Sequence, residues 1–155
     1  MKRSRLLLAL LGFSLGVAGL QGCVHLDADA ARHSIVGTWM VRDPNAPFPY
    51  HLYVFNADGT VHQANPDAGD PRTSDSDGKG AWTSDGARIV GRWVELLADR
   101  SSHLFLGRLE VSFAIDVSGD TLSGTETVRT FDADGVPTGN IPTPARITGQ
   151  RITPR

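Results

Sequence analysis

From Ile35 onward the chain alternates apolar and polar residues with a period of two, interrupted at short intervals by turn signals. The clearest run is His103 to Val117. Phe105, Leu109, Val111, Phe113, Ile115 and Val117 share one face with Gly107, while Arg108, Glu110, Ser112 and Asp116 lie on the other with Leu104, Leu106 and Ala114. That pattern predicts a strand with one face in a core and one in water. Ala57-Asp58-Gly59, Ser84-Asp85-Gly86, Ser118-Gly119-Asp120 and Ala133-Asp134-Gly135 supply the positive φ that tight hairpins need. No stretch after residue 34 sustains a 3.6-residue apolar stripe. Strands are expected at 35–42, 49–56, 60–65, 79–84, 87–97, 103–117, 120–131 and 144–153.

The 103–117 strand is long for a sandwich. Long strands joined in chain order by hairpins predict an all-β fold, an eight-stranded antiparallel up-and-down barrel with no open edge. Gly91, Gly107 and Gly124 fall inside three successive strands. Glycine weakens a strand, so three in consecutive strands indicate bends or close backbone approaches in a curved wall.

The N-terminus obeys different chemistry. Lys2, Arg3 and Arg5 precede an uncharged, mostly apolar run from Leu6 to Leu20, and Gln21-Gly22-Cys23 follows. A basic start, a short apolar core and small residues at the end are the marks of a secretory signal. The core is shorter than the roughly 20 apolar residues a spanning helix needs. Leu20-Gln21-Gly22-Cys23 resembles the lipobox of bacterial lipoproteins, with Gln21 where a small residue is usual. The resemblance implies a diacylglycerol on the sulfur of Cys23, the only cysteine. An ordinary signal cut near Ala18 or Gly22, or an uncleaved anchor, are the competing readings. An unpaired exposed thiol in an oxidising compartment argues for lipidation. One acyl chain holds a membrane only marginally and several hold it stably. By the sorting logic of that family, Val24 after the cysteine implies the outer membrane, with the domain facing the periplasm.

The expected organisation is a signal peptide at 1–22, a lipidated polar tether at 23–34 and one barrel domain at 35–155. Removing Lys2, Arg3 and Arg5 with the signal moves the net charge from -2 to -5, with 12 basic against 17 acidic side chains. A mildly acidic domain is a poor partner for nucleic acid or anionic lipid. Its partners are expected to be the membrane, through Cys23, and a small hydrophobic ligand.

Gly37-Thr38-Trp39 on the first strand resembles the opening motif of the lipocalin or wider calycin group. In that group the tryptophan plugs the closed end of the barrel and a basic side chain of the last strand crosses its ring. The resemblance implies that role for Gly37, Trp39 and Arg151. The other two lipocalin motifs are absent, and an allene-oxide-cyclase-like barrel is the nearest rival architecture.

Candidate sites follow from that frame. His25, His33, His51, His62 and His103 are scattered, with no metal-ligand spacing. Asp67, Asp70, Asp75 and Asp77 do not continue as a calcium loop and read as a flexible acidic segment. No metal or other cofactor is expected. No serine sits in a nucleophile elbow, so no catalytic residue is assigned. The proline-stiffened segment 43–50 is expected to lie over the mouth, with Phe48, Tyr50, Trp82, Trp93, Phe105 and Phe113 as ligand-binding residues. Glu95 and Glu126 alternate with apolar residues and are candidate interior acids, with Arg88 or His51 as partners. Bulges at Gly91 and Gly124 would flip them into water, which is the preferred expectation. Three functions follow: a carrier of a small apolar ligand, a filled barrel with a structural or partner-binding role, or an isomerase or cyclase using an inward acid. The carrier is the leading expectation, and an enzyme the less expected one.

Overall fold

A computed structural model describes residues 34–155 apart from Ala68, Gly86 and Asn140. The expected signal segment, Cys23 and the expected tether up to His33 lie outside the described residues. Among the described residues ten strands form: β1 Gly37–Arg42, β2 Tyr50–Phe55, β3 Thr60–Ala64, β4 Thr73–Asp75, β5 Gly78–Asp85, β6 Arg88–Asp99, β7 Phe105–Ser118, β8 Thr121–Asp132, β9 Pro137–Thr138 and β10 Ala145–Arg151. Every neighbouring pair is antiparallel. The order β1-β2-β3-β5-β6-β7-β8-β10 returns to β1, so eight strands close a barrel. The eight expected strands are all present. β4, on the outer half of β6, and β9, on β8, were not anticipated. The supposedly flexible acidic segment thus holds a strand.

The turns at 56–59, 85–88 and 118–121 gather at one end, and the longer connections at 43–49, 65–77 and 133–144 rim the other. Ser34 and Ile35 are helical and seal the tight end. There Trp39 is fully buried, and its Nε1 donates to the Ile35 carbonyl at 2.8 Å. Trp39 and Arg151 are paired in the β1–β10 ladder, and the guanidinium carbon lies 4.1 Å from the indole centroid. Nη1 of Arg151 donates to the Val36 carbonyl at 2.8 Å, Nη2 donates to the Ser34 carbonyl, and Nε faces Asp120 at 3.1 Å. Gly37 has a φ of 135°, and a Cβ there would lie 2.8 Å from Arg151 Nη1. The Gly-x-Trp spacing therefore leaves room for the guanidinium to cover the indole.

Next to this cork the interior is solid. Tyr53 packs against Phe55, Trp93 and Phe113, and Phe55 meets Trp82 and Phe113 edge-on. Such pairs contribute about 0.5–1.5 kcal/mol beyond the area they bury. Pairing runs unbroken through Gly91 and Gly124, and the β6–β7 irregularity lies instead at Leu97/Ala98. A Cβ on Gly91 would sit 2.4 Å from Cζ of Phe113, so this glycine lets a ring lie on the wall rather than bulging it.

Replacing Arg151 by Ala removes the ring contact and two charged donors from part-buried carbonyls. A loss of about 2–4 kcal/mol is expected in denaturant unfolding, and Arg151→Lys should recover only part of it, because an ammonium cannot span both carbonyls.

Candidate functional site

The inward positions nearest the rim are polar. Continuing the alternation of Trp39 and Val41 places Asp43 inward, and β2 presents His51 ahead of Tyr53 and Phe55. β6 and β8 present Glu95 and Glu126, which are 5% and 4% exposed. Glu95 and Glu126 are thus interior, and the expectation that glycine bulges turn them to water is overturned by the continuous register. These groups surround a cavity of about 430 Å³ at the open end, walled by Phe48, Trp93, Leu109, Val111 and Val128. A hollow of about 540 Å³ is larger, but it lies along the outer wall beside Met40, Arg42, Tyr50 and Gln150, away from the buried acids.

The segment over the cavity is held by Asp43. Its Oδ1 accepts the Asn45 N–H at 2.8 Å, and its own N–H donates to the Pro49 carbonyl at 3.1 Å. Pro44, Pro47 and Pro49 cannot donate to a ladder, so β1 ends and the chain crosses the mouth with Phe48 facing in. β4 brings Asp75 to the rim by pairing it with Leu97. Ser76 and Leu96 secure the junction: Ser76 N–H donates to the Leu96 carbonyl at 3.1 Å and Leu96 N–H to Ser76 Oγ at 3.0 Å.

A chain of hydrogen bonds links the solid half to the cavity. Trp93 Nε1 donates to the Tyr53 hydroxyl at 3.3 Å, which donates to Glu126 Oε2 at 2.9 Å. Burial pushes Glu126 up to about 8, helped by a hydrogen bond with the Asp43 carboxyl and by the charges of Asp43 and Glu95; the Tyr53 donor opposes this. At neutral pH Glu126 therefore keeps its proton and donates it to Asp43. Burial likewise raises Glu95, to about 7, with repulsion from Asp75, Asp77 and Asp67 adding to it. Burial, then the neighbouring Glu126, holds Tyr53 well above the ordinary phenol value. His51 is lowered by desolvation, against the pull of Asp43 and the Phe48 backbone. Gln63 Nε2 donates to His51 Nδ1 at 2.9 Å, which leaves the ring proton on Nε2, a buried atom without a hydrogen-bond partner of normal geometry.

The expected ligand residues divide. Phe48 and Trp93 line the cavity. Trp82 and Phe113 point inward but belong to the solid half, where Trp82 Nε1 donates to the Asn56 and Thr60 carbonyls. Tyr50 is 47% exposed on the outer wall, because His51 takes the inward phase. Phe105 is 51% exposed. Ala98 pairs with Phe105 where an even ladder would use Leu106, and the slip beside Gly107, at a φ of 139°, lifts this end of β7 off the core. Arg88 pairs with Asp116 on the outer wall and cannot serve either acid. Asp43, Tyr53, Phe55 and Gln63 had not been singled out, although simple alternation from Trp39 and His51 finds the first three. Among the described residues, no group of three or more His, Asp or Glu side chains is placed to hold a metal ion. No protein-family model, curated protein or solved structure matches the chain.

Between pH 4.5, the ordinary value, and about 8 the unfolded chain releases the Glu126 proton while the barrel retains it. Stability contributed by this group is thus full below 4.5 and falls as pH rises through that window. Each unit of displacement corresponds to about 1.4 kcal/mol. Glu126→Gln, which can still accept from Tyr53 and donate to Asp43, should melt higher than the parent protein at pH 9, with the gap closing toward pH 5.

Proposed function

We propose that this protein is an envelope lipoprotein whose lipocalin-like barrel binds a small, largely apolar molecule in its open end. One observation carries the reading: the barrel is solid around Tyr53 and Phe55 but hollow above Trp93, behind the Phe48 segment. A purely structural barrel has no reason to keep about 430 Å³ empty beside two buried acids, since filling it would add stability. The volume falls at the low end of the roughly 300–1,000 Å³ typical of small-molecule sites.

The lipobox resemblance at Cys23 supports an anchor. Ser34 emerges at the sealed end, beneath Arg151. The ten residues between Cys23 and Ser34 reach at most about 35 Å when extended. A barrel on that leash would turn its mouth away from the bilayer and toward the periplasm.

A second reading, acid–base catalysis of an isomerase or cyclase type, is favoured by Glu126 and Glu95. Both are inward carboxyls with raised pKa values beside open volume, which suits proton transfer near neutral pH. The two readings separate on the fate of a bound molecule. A carrier returns it unchanged in native mass spectrometry, whereas catalysis returns a product that Glu126→Gln no longer forms.

The purified domain should brighten an apolar fluorophore. Phe48→Ala should weaken that binding by roughly tenfold through lost apolar contact, without altering the fold, because Phe48 lies in a loop. Cys23→Ser should move the protein from the membrane pellet to the soluble fraction; continued sedimentation with membranes would falsify the anchor.

A further inference from the structure

The cavity carries a charge asymmetry that its apolar walls do not require. Asp43, Asp75, Glu95 and Glu126 line it, and among the described residues no lysine or arginine does. The basic groups around the rim are engaged by the acidic segment itself. Arg72 is held by Asp70, Arg100 by Asp67 and the Thr73 carbonyl, and Lys79 stands 3.9 Å from Asp77.

Glu126 has partners in Tyr53 and Asp43, but Glu95 has none. It is 5% exposed, lines the cavity, and no donor or cation among the described residues reaches its carboxyl. The charged groups that act on it, Asp75, Asp77 and Asp67, are all acidic. An ionised carboxyl in so enclosed a cavity, with no donor beside it, is costly, and a cation placed beside it recovers that cost. A metal ion does not fit, because the carboxyls do not converge into a coordinating group. An organic cation does fit. Its charge can be shared among separated carboxyls, and Trp93, which lines the same cavity, is a ring of the kind that attracts ammonium groups.

We propose that the cavity is a site for a small organic cation, a protonated amine seated beside Glu95 with its apolar body against Trp93, Leu109 and Phe48. This rests on the ligand-binding reading above and adds the headgroup the ligand must carry.

A consequence follows for protons. Asp43 faces the cavity from the loop after β1, His51 from β2, Asp75 from β4, Glu95 from β6 and Glu126 from β8. Tyr53 of β2 lies behind Glu126, β3 contributes only the neutral Gln63 behind His51, and β7 and β10 present Leu109, Val111 and Ala145. With Glu95 holding its proton on the acid side of neutrality, an arriving ammonium keeps its own protons, and the Glu95 proton passes to the buffer.

The test compares octylammonium, 1-octanol and octanoate, which share a chain and differ in headgroup, by fluorophore displacement and titration calorimetry on the purified full-length protein. The expected result is at least tenfold tighter binding of octylammonium than of octanol, no binding of octanoate, and proton release at pH 6.5 with the amine alone. Glu95→Gln should erase the amine preference and leave octanol binding in place. Octanol or octanoate binding as tightly as the amine, or an amine preference that survives Glu95→Gln, overturns the cation proposal and leaves the ligand-binding reading intact. Failure of all three compounds and of the fluorophore to bind overturns both.

Discussion

The ladder between β1 and β10, locked where Arg151 spans the Trp39 ring and the carbonyls of Ser34 and Val36, is the contact on which the rest of the molecule depends. It joins the first and last long strands and so turns a meander into a closed wall. Closure removes both edges, which is valuable to a domain that has no disulfide available within it. It also decides polarity along the barrel axis. One end is sealed by a side chain bonded to the backbone, so any hollow must form at the other.

That division of labour explains how the barrel tolerates buried acids. Packing of Tyr53, Phe55, Trp82 and Phe113 supplies the stabilising burial in the sealed half. The rim can then hold groups that oppose folding when ionised. Glu126 is accommodated by a hydroxyl on one side and a carboxyl on the other, and protonation lets it satisfy both. Glu95 lacks such company, and its cost remains open to relief by a ligand.

The rim is built from segments far apart in the chain. Asp43 meets Glu126 because β1 and β8 both flank β10. Asp75 approaches Glu95 only because the short β4 lies on the outer half of β6. The proline-rich connection after β1 closes over them with Phe48. Each piece is weakly patterned by itself, and the chemistry arises from their convergence.

Alternation and turn residues determined the eight barrel strands, their order and the barrel class, because a period of two and an Asp-Gly reversal are local consequences of backbone geometry. Trp39 and Arg151 were legible through a motif resemblance for the same reason, each marking a fixed place on a terminal strand. Whether the interior is solid or hollow was settled only by the fold, since it depends on how rings from β2, β5, β6 and β7 meet across the barrel. The direction of Glu95 and Glu126 was likewise undecided locally: a glycine in a strand permits either a bulge or a close-packed ring, and Phe113 lying on Gly91 selects the latter. Phe105 obeyed the alternation in the sequence and left the core in the fold, because the slipped pair beside Gly107 carries this end of β7 off the core, with Leu104 and Leu106 exposed as well, and nothing in the neighbouring residues announces it.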